Sequence, residues 1–66
     1  MDSEDYVSEI IYDESGNYQK PSKTGDLYYT IQTLSYLYRS NPEWPETFQD
    51  DIKQYVQDCV DLLEKI

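Results

Sequence analysis

The sequence predicts a small α+β domain: an N-terminal β-hairpin over residues 5–20, then helices near 26–39 and 45–65 packed as an antiparallel pair. Three observations predict it. A β-branched and aromatic run stands ahead of a glycine-containing turn, and two later stretches repeat apolar residues at helical spacing. The first run also fits one face of a short helix, so an all-α three-helix domain is the alternative. The whole chain of 66 residues reads as one domain, with no internal repeat and no low-complexity tract.

The hairpin rests on Tyr6-Val7-Ser8-Glu9-Ile10-Ile11-Tyr12, followed by Asp13-Glu14-Ser15-Gly16. Asp at the first turn position and Gly at the fourth suit a type I turn with a left-handed bulge. Tyr18-Gln19-Lys20 would return and stop at Pro21, bringing Tyr12 and Tyr18 face to face. The competing reading is helical, because Tyr6, Val7, Ile10 and Ile11 also share one helical face.

Pro21-Ser22-Lys23-Thr24-Gly25 reads as a loop, after which Asp26, or Thr24 before it, offers an oxygen to cap a helix. Leu27, Ile31, Leu34 and Tyr38 then form one stripe flanked by Tyr28 and Leu37, with Tyr29 and Tyr36 on the opposite side. Ser40-Asn41-Pro42 ends this helix, since the residue before proline avoids helical geometry. Pro45 suits the first turn of the last helix. Phe48, Ile52, Tyr55, Cys59, Leu62, Leu63 and Ile66 carry its stripe to the end of the sequence, widened by Val56 and Val60.

Composition excludes several classes of function. Fourteen Asp and Glu stand against five Lys and Arg, a net charge of −9, and histidine is absent. A chain this acidic lacks the footprint for direct contact with nucleic acid or an anionic membrane. No apolar run reaches the ~18 residues of a membrane span. Met1 is followed by Asp-Ser-Glu-Asp, so neither a signal peptide nor a basic transit sequence is expected. The single cysteine forms no intramolecular disulfide, which argues against a stapled secreted scaffold. A soluble protein of the cytoplasm is the expectation.

No catalytic set is legible, and no enzyme is expected. The usual general base and commonest metal ligand are missing with histidine. Cys59 falls in the apolar stripe, where a thiol behaves as a small hydrophobe. The two glycines, Gly16 and Gly25, make no phosphate loop. Asp13, Ser15 and Asn17 imitate the start of an EF-hand, but Tyr18 stands where glycine is required and Thr24 where the bidentate Glu belongs. Neither a cofactor nor a metal is expected.

What remains is the placement of the acids. Glu46, Asp50, Asp61 and Glu64 gather opposite the apolar stripe of the last helix, with Asp51 and Asp58 beside them. Lys53 and Lys65 compensate only in part, the best pair being Asp61 with Lys65 one turn on. Asp2, Glu4, Asp5 and Glu9 charge the N-terminal segment. Residues 1–26 carry −5 (seven acids, two bases) and residues 27–66 carry −4 (seven acids, three bases), so the charge is spread over the chain. An ordinary solvated helix face would account for part of this, but −9 exceeds the ~2–8 that solubility needs in a small domain. Helical carboxylates three or four residues apart stand about 5–6 Å from each other, a scale near that of phosphates along a strand.

In this whole-chain character, carried by residues 2–14 and 50–64, the protein resembles the phage-encoded acidic DNA-mimic inhibitors. The resemblance implies a small viral protein that occupies the basic DNA-binding surface of a host protein in the host cytoplasm. Targets known for that class include uracil-DNA glycosylase, nucleoid proteins, restriction enzymes, CRISPR effectors and the sliding clamp. On that reading Asp50, Asp51, Asp58, Asp61 and Glu64 engage Lys and Arg of the target, assisted by Asp2, Glu4, Asp5 and Glu9. Tyr29 and Tyr36 are candidates for a second interface, and a homodimer would bury them while doubling the acidic surface. The alternative is an adaptor or antitoxin-like module that binds its partner through the apolar and tyrosine surface.

Overall fold

The computed structural model describes residues 2–22 and 25–65, and among them it is all-helical: α1 spans Ser3–Ile11, α2 Leu27–Ser40 and α3 Glu46–Glu64. The expected α+β class with its hairpin over 5–20 is therefore wrong, and the three-helix alternative describes the chain. Residues 3–11 are helical because of what they bury. Val7 and Ile11 are fully buried, one turn apart on one side of α1, while Glu9 points to water. A strand alternates its side chains, which would put Glu9 on the same face as Val7 and Ile11. The only available partner, Tyr18-Gln19-Lys20, would leave a two-stranded ribbon, which is marginal in water. Glu4 and Asp5 in the first turn add a favourable interaction with the helix dipole.

The turn itself forms as its residues predict. Gly16 adopts φ +84, the left-handed region where a side chain is strained. Asp13 N–H donates to Asn17 O at 2.8 Å, and Asp13 Oδ1 accepts from the amides of Ser15 (2.9 Å) and Asn17 (3.0 Å). Tyr12 and Tyr18 meet in one antiparallel bridge. The returning segment closes α1 instead of extending a sheet: Gln19 N–H donates to Ile11 O at 2.9 Å, and Gln19 Nε2 to Ile10 O and Tyr12 O. Carbonyls left open at a helix end are thereby satisfied.

Asp26 Oδ1 caps α2 by accepting from Tyr29 N–H at 3.0 Å; Thr24, the other candidate cap, lies outside the described residues. Asn41 terminates the helix with its amide and its Nδ2 on Leu37 O. The link over 41–45 is held by Gln49, whose Nε2 donates to Pro42 O (2.9 Å) and Trp44 O (2.8 Å). Pro45 sits at the N-cap of α3, and Trp44 packs edge-on against Phe48 at 5.1 Å. Phe48, Ile52, Tyr55 and Cys59 of α3 join Val7, Ile11, Leu27, Leu34 and Trp44 in the core. Ile66, the predicted end of this stripe, lies outside the described residues. α3 is the centre of the molecule: α2 packs along one side of it, and α1 with the 12–18 turn covers the other.

Candidate acidic interaction surface

α3 carries the carboxylates in two sets. Asp50, Asp61 and Glu64 are exposed on its outward face, joined by Glu46 in the first turn. Asp61 accepts from Gln57 Nε2 at 3.1 Å, a neutral partner that leaves its charge in place. Asp51 and Asp58, expected on the binding surface, are half-buried and turned to the chain itself. The Tyr12 hydroxyl donates to Asp51 Oδ2, and the Tyr18 hydroxyl donates to Asp58 Oδ2 at 2.6 Å. Gln54 Nε2 takes the other oxygen of Asp58 at 3.0 Å. These two carboxylates pin the 12–18 turn onto α3. Burial, then the neighbouring Asp51, pushes the Tyr12 phenol up to about 12, and burial with Asp58 pushes Tyr18 up as well.

The N-terminal acids are exposed as a helix displays them. Asp2 and Glu4 line a shallow depression of about 260 Å³ with Glu43 and Trp44, and Glu9 lines one of about 400 Å³ with Asp13, Glu14 and Tyr12. Asp5 is exposed between them. Glu43 is the acid that sequence reasoning passed over, because only the packing of α1 beside the 41–45 link brings it to Asp2. Among the described residues no carboxylate lies within salt-bridge distance of a Lys or Arg nitrogen, so the expected Asp61–Lys65 pair does not form. No group of three potential metal ligands assembles among the described residues, and Asp13 spends its oxygen on the turn.

Tyr29 and Tyr36 are 58% and 66% exposed, and Tyr28, read from sequence only as a flank of the apolar stripe, is 69% exposed. The Tyr29 hydroxyl beside Tyr6 pushes the Tyr6 phenol up, which marks where α1 approaches α2. On the other side of α2 the cations are engaged locally: Lys53 Nζ lies 5.4 Å above the Tyr38 ring, and Arg39 Nε donates to Ser35 O at 3.3 Å. These residues line a groove of about 400 Å³ floored by Ile52 and Val56. Cys59 is fully buried and its thiol is pushed up by burial, the environment of a packing residue. No helix is long and apolar enough to cross a membrane among the described residues. Comparison with known proteins finds no family, no curated protein and no solved structure that matches this chain.

Proposed function

We propose that the protein acts by binding: it displays carboxylates that occupy the basic, DNA-binding surface of a target protein, as the acidic DNA mimics do. The observation that supports this is the exposed set Asp50, Asp61 and Glu64 on the longest helix, which forms no salt bridge among the described residues and has only Lys53 near it, beside Asp50 and Glu46. Holding like charges together on a rigid element costs stability through self-repulsion, and a complementary basic groove recovers that cost on binding. Asp2, Glu4, Asp5 and Glu9 extend the charged surface onto α1. Asp51 and Asp58 act in this reading as internal anchors rather than as contacts.

A second reading, an adaptor or antitoxin-like module, is favoured by the exposure of Tyr28, Tyr29 and Tyr36. One experiment separates the two. Proteins captured from host lysate are compared at low and high salt, for the wild type, for the Asp50→Lys, Asp61→Lys, Glu64→Lys triple variant, and for Tyr29→Ala with Tyr36→Ala. Charge mimicry expects capture of a DNA-binding protein that falls steeply with salt and disappears in the triple variant, because exposed contacts are screened. Capture indifferent to salt and to charge reversal, but lost with the tyrosines, overturns it in favour of the adaptor.

A further inference from the structure

We infer that α2 is a self-association face, pairing antiparallel with α2 of a second copy of this chain about a two-fold axis. All fourteen Asp and Glu lie outside Leu27–Ser40, whose one charged residue is Arg39. Two copies at −9 each repel through the surfaces that carry acids. The acid-free helix is where that repulsion is least, its acid-bearing neighbour α1 reaching it only at one edge, where Tyr6 meets Tyr29. It also has the composition protein interfaces select, tyrosine and arginine present with Asp, Glu and Lys absent. Its Tyr28, Tyr29 and Tyr36 rings each keep more than half their surface in water, while the chain's other tyrosines are packed or half-packed.

The spacing is self-complementary. Tyr29 and Tyr36 stand about two turns apart, on one line of the helix; Tyr28 and Arg39 stand about three turns apart, on the flank beside it. In an antiparallel pair centred near Gln32 and Thr33, Tyr29 meets the partner's Tyr36 and Arg39 reaches the face of the partner's Tyr28. The two-fold repeats both contacts. Arg39 is exposed and is held to its own chain only through Nε, which leaves the rest of its guanidinium for a cation–π contact. The arrangement sends the outward acids of both α3 helices away from the axis and leaves them free for a target. A helix of 14 residues is only about 21 Å long. One such helix from each copy makes a small interface, and such a dimer dissociates on dilution.

Sedimentation velocity of the full chain over a wide concentration range, at low and at high salt, tests this. The expected result is a reversible dimer that tightens as salt rises, because screening removes the repulsion between copies. That sign is opposite to the one expected for target binding, so the two ideas fail separately. Tyr36→Asp places a carboxylate against the partner's tyrosines and should weaken the dimer at least about tenfold. Its helical circular dichroism should match the wild type, since the ring it replaces is exposed. Gln32→Cys should form an intermolecular disulfide on mild oxidation, and Gln54→Cys on the outward face of α3 should not; Cys59 is buried and does not compete. Should Tyr36→Asp misfold, the cysteine pair decides. A monomer at every concentration and salt overturns the inference, and so does a dimer that cross-links through position 54 and not 32.

Discussion

Tyr12 and Tyr18 reach carboxylates 39 and 40 residues away in the chain, and their rings pack on α3 as well. Tyr12 stacks on Phe48, and Tyr18 stands edge-on to Tyr55 at 6.2 Å. Tyr18→Phe keeps the ring contact and removes only the bond to Asp58, so it should cost about 1–2 kcal/mol. A lower urea midpoint at unchanged slope would register that loss. Both phenols titrate higher in the folded chain than in the unfolded one. The unfolded chain therefore releases these protons first as pH rises, so stability is complete below the ordinary value of 10.0 and declines from there toward about 12 at Tyr12. A titration followed by circular dichroism and tyrosinate absorbance should find unfolding in that alkaline window, shifted in Tyr12→Phe. At this scale sequence alone was a poor guide. It put Asp51 and Asp58 beside the acidic face, which is correct for a bare helix; their partners lie in a turn that only tertiary packing brings across.

At the scale of elements, α1 is the weakest helix and the most informative. Nine residues are too few to hold a helix in isolation, where ~12–15 are already marginal. Its helicity comes from docking Val7 and Ile11 into the core built on α3. Ile11→Ala should then cost about 2–5 kcal/mol, a large fraction of the ~3–10 kcal/mol available to a chain this long. Equilibrium unfolding should show the loss as one cooperative transition, and a separate early melting of α1 would contradict this account. The two longer helices were legible because their stripes recur over about three turns in α2 and about four in α3. Segment 5–20 was legible in part: the Asp13–Gly16 turn and the approach of Tyr12 to Tyr18 are local events. Helix or strand for the residues before the turn was not, since Tyr6, Val7, Ile10 and Ile11 satisfy both patterns.

Across the whole molecule the governing quantity is charge. With −9 on 66 residues and no salt bridge among the described ones, folding concentrates repulsion that the unfolded chain spreads out. Added salt should therefore raise the thermal midpoint, each kcal/mol of relief being worth about 4–8 °C in a domain of this size. Melting Tyr36→Asp alongside the wild type separates the two routes by which salt acts: an equal rise in both assigns the gain to the single chain, and a smaller rise in the variant assigns the difference to association.

The amino-acid sequence by itself determined the charge, the absence of histidine chemistry, two long amphipathic helices with a cap for the first at Asp26 or Thr24, and a glycine turn at 13–16. Periodicity and hydrogen bonds within a few residues are enough to specify these. The tertiary structure alone decided that residues 3–11 are helical, that Asp51 and Asp58 face inward, and that Glu43 joins Asp2 and Glu4. Each of those outcomes depends on a surface supplied from about forty residues away, and local preference carries no information about it.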